Sequence, residues 1–158
     1  MPAEKKDVRA RPVIRRARRK DAGPIAEIVQ ESPQAANWSK KSYEELGALS
    51  GEYALVCETG GKVTGFLIGR QAADEAEVLN LAVRLEDRRS GNGGALLGEF
   101  LDRARSNGVR RAFLEVRESN AAGIAFYERH GFVQTGRRKG YYQAPKEDAI
   151  AMERKLTG

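Results

Sequence analysis

Residues Arg88–Phe132 read RRSGNGGALLGEFLDRARSNGVRRAFLEVRESNAAGIAFYERHGF, and the punctuation of this stretch decides the fold. Gly91, Gly93 and Gly94 stand directly before an apolar stripe of Leu97, Leu101 and Ala104, widened by Leu96 and Phe100. That spacing predicts an amphipathic helix opened by a glycine-rich turn. Backbone N–H groups free of side chains can wrap an anion at the positive end of such a helix. Arg88 and Arg89 add charge there, so the turn reads as a pyrophosphate cradle; the bland alternative is a glycine-rich connection with exposed arginines. It lacks the Gly-Lys-Ser/Thr of a nucleotide triphosphatase loop, and Gly91-Asn92-Gly93-Gly94 does not make a dinucleotide-binding GxGxxG. Asn107-Gly108 is a helix stop. Arg111–Arg117 then alternates as a strand, with Ala112, Leu114 and Val116 on one face and Phe113, Glu115 and Arg117 on the other. Ser119 and Asn120 can cap a second helix that runs to about His130 and stops at Gly131.

Outward from this centre, residues 1–10 read as a disordered basic arm and residues 11–158 as one domain. Pro12–Ala17 suits a first strand, and Asp21 suits the cap of a helix through Ile25, Ile28 and Val29 that Ser32-Pro33 breaks. A further helix is expected near Ser42–Leu49. Tyr53–Glu58 and Lys62–Gly69 pair as a hairpin about Thr59-Gly60-Gly61, and Glu77–Val83 is a strand leading into the glycine turn. Phe132–Arg137 and Ala149–Lys155 are the last two strands, connected through Tyr141–Pro145. The order predicts an α+β, or mixed α/β, layout with a mixed sheet of about seven strands and about four helices.

Bulk properties narrow the function classes. The 158 residues are 41% hydrophobic and 32% charged, with no apolar run near the ~20 residues that span a bilayer. The charged N-terminus without an apolar segment makes the cytoplasm the expected location, with no membrane partner. Cys57 is the single cysteine and reads as a small buried hydrophobe, and one histidine with one cysteine argues against a zinc site. The net charge of +6 is uneven: nine bases against two acids in the first twenty residues give +7, leaving −1 for the rest. Such an arm suits an RNA-rich neighbour or a solvated tail, and direct nucleic-acid contact would rest on it alone. No aromatics interleave with its charges to stack on bases.

The run R-x-x-G-x-G followed by L-E-V-R-x-S-N-x-A-x-x-x-x-Y-E-x-x-G-F resembles the GNAT acetyltransferase superfamily, most closely its ribosomal-protein alanine N-acetyltransferase (RimI) branch. The resemblance extends from roughly Pro12 to Leu156 and implies the GNAT fold, with the central sheet splayed between its fourth and fifth strands for acetyl-CoA. It makes Arg88, Arg89, Ser90, Gly91, Asn92, Gly93 and Gly94 the cofactor's pyrophosphate loop. Leu81, Ala82 and Val83 become the strand end that meets the pantetheine arm, and Asn120 a cofactor contact. Taken alone, Leu81–Val83 say only "buried strand" and Asn120 only "helix cap". Asn92 and Gly94 depart from the family loop, but chelation by main chain does not use their side chains.

Amine acetylation needs an unprotonated nitrogen, a base for its proton and an acid for the departing thiolate. The resemblance implies Glu115 as the base, directly or through a water, and Tyr127 as the acid, a phenol being protonated at neutral pH. The competing readings are a surface glutamate paired with Arg117 or another cation, and a core tyrosine satisfied by backbone. His130 suits the C-terminal end of a helix dipole and gains no role from the resemblance. Trp38, Tyr141 and Tyr142 match segments that close over a protein N-terminus, or else are ordinary core and loop aromatics. The expected activity is transfer of acetyl to a protein α-amine, the N-terminal alanine of a small-subunit ribosomal protein, with no metal. The alternatives are acetylation of a small-molecule amine and a non-catalytic, CoA-holding ribosome- or RNA-binding module.

Overall fold

The computed structural model describes residues 11–32 and 51–156. Its strands are β1 (Val13–Arg16), β2 (Glu52–Thr59), β3 (Lys62–Ala72), β4 (Glu75–Val83), β5 (Arg111–Arg117), β6 (Val133–Gln143) and β7 (Lys146–Lys155). Its helices are α1 (Ala22–Gln30), α2 (Asn92–Ser106) and α3 (Ala121–Arg129), with short 3-10 turns at Arg19–Asp21 and Leu85–Asp87. The expected helix near Ser42–Leu49 and the basic arm lie outside the described residues, as does Trp38.

All seven strands form one sheet in the order β1-β2-β3-β4-β5-β7-β6. Neighbours are antiparallel except β4 and β5, which run parallel. Their ladder holds only Glu75–Arg111, Ala76–Ala112 and Glu77–Phe113. Beyond those pairs the two strands diverge, so the facing edges of Val78–Val83 and Leu114–Arg117 have no strand across from them among the described residues. The sheet is mixed, and it splays between the fourth and fifth strands as the family resemblance implies.

Each face of the sheet has its own core. On one, α2 buries Leu96, Leu97, Phe100, Leu101 and Ala104 against Tyr53, Leu55, Leu67, Val78, Leu114, Ile150 and Met152. Ile124, Phe126 and Tyr127 of α3 pack on the same cluster. On the other face, Ile25, Ile28 and Val29 of α1 meet Val56, Phe66, Ile68 and Ala82. Each such fully buried aliphatic or aromatic side chain contributes about 1.5–3 kcal/mol by leaving water. A bulge in β4 serves both cores: Gly69 pairs with Val78 and Ile68 with Asn80, leaving Leu79 over. One extra residue reverses the alternation of faces. Ala76 and Val78 therefore face α2, while Leu79 and Ala82 face α1 and Leu81 returns to the α2 side.

Three local expectations change. Asp21 stands at the N-cap of α1, as expected, but makes no side-chain capping bond; its carboxylate takes two bonds from Arg15 at 2.8 and 3.0 Å and one from the Arg18 N–H at 2.6 Å. Burial alone would raise this carboxyl, but those donors hold it below the usual carboxylate range. The last two strands are longer than their apolar content suggests and meet at Ala144-Pro145, so Tyr141 and Tyr142 belong to β6 rather than to a connection. Finally, the 3-10 turn at Leu85–Asp87 intervenes between β4 and the glycine turn. Cys57 is fully buried, with its thiol pushed up by burial, as expected of a core residue.

Candidate active site

The glycine turn has a geometry that suits an anion. Gly91 is the N-cap of α2 at φ +82°, a left-handed conformation that L side chains adopt only with strain. Arg89 is also left-handed, at φ +64°. Alternation of this kind points successive N–H groups into one concavity. The first main-chain bond after the turn runs from Ala95 N–H to the Gly91 carbonyl at 2.9 Å. Among the described residues, nothing accepts from the N–H groups of Arg89, Ser90, Gly91, Asn92, Gly93 or Gly94. The α2 dipole adds positive potential at the same point.

Two side chains in the turn have other work. Arg88 donates from Nε to the Val83 carbonyl at 3.0 Å and from Nη2 to Ser32 Oγ at 3.0 Å, tying the end of β4 to the end of α1. Asn92 is buried, donating to the Asp87 carbonyl at 3.1 Å and lying 3.5 Å from Cys57 Sγ. Both therefore shape the turn: the Arg88 N–H is itself bonded to the Leu85 carbonyl at 3.5 Å, and what Asn92 can offer a ligand there is main chain. Helix α3 abuts it closely: a Cβ added at Gly94 would lie 3.1 Å from His130 Nε2, and one at Gly93 3.5 Å from the Phe126 ring. The glycines thus do two things, exposing N–H groups and admitting α3. His130 stands at the C-terminal cap of α3, where the sequence leads one to expect it, and is fixed by a 2.9 Å bond between Nδ1 and the Phe126 carbonyl.

From the cradle, Leu81, Ala82 and Val83 line the β4 edge of the gap. Asn120 caps α3, accepting from the Gly123 N–H at 2.9 Å. Tyr127 follows Phe126 on α3, its ring edge-on to Phe126 at 5.2 Å and to Phe132 at 5.7 Å. No hydrogen bond reaches its hydroxyl among the described residues, and burial pushes the phenol well above its ordinary value. The hydroxyl is thus a protonated donor with no described acceptor.

Glu115 lies on the opposite face of the sheet from α3, because it alternates with Leu114 and Val116 along β5. Its carboxylate accepts from Arg138 Nη1 at 3.1 and 3.2 Å. Arg117, the partner the sequence offers first, goes instead to Glu147 at 3.0 Å and stacks on Tyr142 with its guanidinium carbon 4.2 Å from the ring centre. Hydrogen bonds from Ser119 and Arg117 hold the Glu147 carboxylate below its usual range. Burial, then the charge of Glu115, push the Tyr142 phenol up. Tyr141 lies under Arg138, 4.1 Å from its guanidinium carbon. The β6–β7 register shifts between Arg138 and Tyr142, gathering both tyrosines at the mouth beside Glu115. Glu115, Tyr141 and Tyr142 thus come together on one face, and Tyr127 stands with the cradle on the other. Between β4, which leads to the cradle, and β5, which carries Glu115, the ladder ends at Glu77–Phe113. Arg138 was missed from sequence; its only signal is the Arg137-Arg138-Lys139 run just before the tyrosine pair.

A family model described as "Acetyltransferase (GNAT) family" matches residues 23–132. The chain belongs to the GNAT acetyltransferase family. It is 38% identical over 133 residues to the [ribosomal protein bS18]-alanine N-acetyltransferase of Escherichia coli K12, covering 82% of this chain and 88% of that one. The crystal structure of the E. coli ribosomal-protein-S18-alanine N-acetyltransferase superposes with a TM-score of 0.83 at 32% identity, over 94% of this chain and 96% of that one. Ard1 from Thermoplasma volcanium superposes with a TM-score of 0.85 at 30% identity, over 93% and 99%. The protein is therefore an acyltransferase, and GNAT acetyltransferases use acetyl-CoA. The residues present fit that molecule. Six N–H groups with no acceptor among the described residues suit its pyrophosphate, and the edge of a splayed strand suits the amide-bearing pantetheine arm. No group of three or more His, Cys, Asp or Glu among the described residues is arranged to hold a metal. No helix among them is long and apolar enough to cross a membrane.

Proposed function

We propose that this protein acetylates the α-amine of a protein N-terminus, the N-terminal alanine of a small-subunit ribosomal protein, in the cytoplasm. When bound, acetyl-CoA supplies an acyl group on a thiolate leaving group. The amine enters from the β5–β6 face, where Glu115 takes a proton from the ammonium, directly or through a water. Its nitrogen can then bond the acetyl carbon as the carbon–sulfur bond breaks, and the second proton the nitrogen sheds makes good, through solvent, the one that Tyr127 gives up. Tyr127 gives its proton to the departing sulfur on the far side of the gap, and the apolar packing of Phe126 and Phe132 excludes water there. Main-chain N–H groups of residues 89–94 hold the cofactor's pyrophosphate, with Leu81–Val83 along its arm and Asn120 beside it. Tyr141 and Tyr142, and Trp38 from outside the described residues, flank the peptide.

The observation that carries the reading is a carboxylate on β5 and a protonated phenol on α3 on opposite faces of a sheet whose β4–β5 ladder ends after three pairs. The choice of peptide over small amine draws on the E. coli relative, whose name specifies a ribosomal-protein alanine. The strongly basic first twenty residues suit an acceptor met near ribosomal RNA.

The test follows free thiol release with an alanine-initiated ribosomal-protein peptide, the same peptide with a blocked N-terminus, and a panel of small amines. Turnover that disappears on blocking is the expected result. Equal turnover with the blocked peptide, or turnover of small amines alone, would overturn the acceptor assignment and leave the family untouched.

A further inference from the structure

Arginine side chains across the β5–β6–β7 surface are not equivalent. Arg117 spends Nη1 on Glu147 and the Pro145 carbonyl, at 3.0 and 3.2 Å, and Nη2 on the Ala144 carbonyl at 3.4 Å. Its side chain is 21% exposed and braces the hairpin turn. Arg137 bridges Glu118 and Asp148, both at 2.8 Å. Arg138 alone bonds Glu115, and it does so with one nitrogen shared between both carboxylate oxygens. That is not the two-nitrogen fork that makes arginine–carboxylate pairs strong. Its Nε and Nη2 donate to nothing among the described residues, and its side chain is 58% exposed against 18% for Glu115. What anchors it is the face of Tyr141.

A guanidinium in this position has the charge and N–H donors of a protonated amine, so it occupies the place at Glu115 that an incoming ammonium needs. Both cations on one carboxylate would repel. The contact is a single-nitrogen, largely exposed one, the kind that exchanges readily. Once displaced, Arg138 can stay stacked on Tyr141 with all its donors available. A peptide offers those donors something at once, because the carbonyl of its first residue is only two bonds from the reacting nitrogen. A simple amine offers nothing.

Resting on the reading of Glu115 as the base, we propose that Arg138 is a specificity-determining residue of the acceptor site. It covers the Glu115 carboxylate until an acceptor arrives, yields it to the α-ammonium, and then donates to the first backbone carbonyls of the peptide. The site selects peptides over small amines because only a peptide satisfies the arginine it has displaced. Arg138 takes no part in the proton transfers.

The experiment measures kcat and KM at saturating acetyl-CoA for three amines of decreasing carbonyl content. They are an alanine-initiated hexapeptide with uncharged side chains, alaninamide with one carbonyl, and isopropylamine with none. Arg138→Gln is expected to lower kcat/KM about tenfold on the hexapeptide, through KM, and about threefold on alaninamide, as befits one or two lost charge-assisted hydrogen bonds. The loss on isopropylamine should be smaller still, and Arg138→Lys, which keeps the charge without the fork, should recover part of the peptide loss. An equal loss on all the amines turned over, or an undiminished hexapeptide kcat/KM, would overturn the proposal. If Arg138→Gln melts below the assay temperature, the Arg138→Lys gradient across the same amines decides. Glu115→Gln serves as the control: turnover that survives it would refute the base itself rather than the role of Arg138.

Discussion

On the α2–α3 side of the β4–β5 gap the candidate site is made of main chain: unengaged N–H groups from Arg89 to Gly94, a left-handed Gly91 and a bare strand edge. On the β5–β6 side it is made of side chains: Glu115, Arg138, Tyr141 and Tyr142, held by ion pairs and ring contacts between strands. The first side suits a ligand that never changes, since phosphate and amide groups are recognised by backbone geometry and helix dipole. The second suits an acceptor that must be told from others, since only side chains differ in charge and reach. Substitutions should accordingly have different signatures on the two sides. Main-chain distortion should act on the cofactor and side-chain truncation on the acceptor.

The sharpest break of that division is Glu115→Gln, which removes one proton acceptor and leaves the cradle intact. It should lower kcat by about 10²–10⁴, the usual worth of a positioned base, with the KM for acetyl-CoA nearly unchanged. Thermal stability should move little, because the lost partner is the exposed Arg138 and surface pairs contribute about 0–1 kcal/mol. A full loss of acetyl-CoA binding in this variant would show that the two sides are not separable.

Tyr127 belongs structurally to the cofactor side but acts on chemistry, so Tyr127→Phe should lower kcat by about 10² without weakening acetyl-CoA. Its pH dependence follows from the raised phenol. The proton is present below the folded-state value and is lost only as pH rises through it, which lies above the ordinary value of about 10. Between pH 7 and 10 the ratio of wild-type to Tyr127→Phe kcat should therefore stay constant. A ratio that falls towards one within that range would mean that Tyr127 ionises there and is not the protected donor.

Gly91→Val tests the main-chain side. A β-branched residue at φ +82° should cost about 1–2 kcal/mol of stability and deform the row of N–H groups. The KM for acetyl-CoA should rise about tenfold, the worth of about one lost charge-assisted hydrogen bond, while the peptide KM is nearly preserved. A larger effect on the peptide than on acetyl-CoA would reverse the division.

The same division explains what could be read from sequence. The glycine turn and its helices were legible because their signals are local: Gly91 before an apolar stripe, Asn107-Gly108 after it, Ser119-Asn120 ahead of the next helix. The resemblance carried by Arg88–Phe132 added the splay, whose physical sign is a parallel ladder of only three pairs. The acceptor face was less legible. Glu115 and Arg138 are 23 residues apart, and nothing local prefers Arg138 to Arg117 as the partner. Strand β6 reads VQTGRRKGYYQ and is exposed along most of its length, so it lacks the apolar alternation that marks a buried strand and looks like a loop past Arg137. The bulge at Leu79 was hidden for a similar reason, since β4 reads as regular alternation until its pairing with β3 is known.

Asn120 is where the two readings of one residue can be separated with the smallest effects. Its Oδ1 caps α3 through Gly123, which by itself accounts for an asparagine there. The cap also explains Gly123, because a Cβ at that position would sit 2.4 Å from Asn120 Nδ2. Asn120→Ala should cost about 1 kcal/mol of stability, whereas Asn120→Ser keeps a capping oxygen and should cost less than about 0.5 kcal/mol. Neither variant has the amide nitrogen that a cofactor contact would use. If Asn120 only caps, the KM for acetyl-CoA should follow stability and stay unchanged in the serine variant. If its amide also reaches the cofactor, both variants should raise that KM about threefold, as for a single neutral hydrogen bond, while only the alanine variant melts early. The second pattern is the expected one, because the cap engages Oδ1 and leaves Nδ2 without a partner among the described residues, on the helix that abuts the cradle.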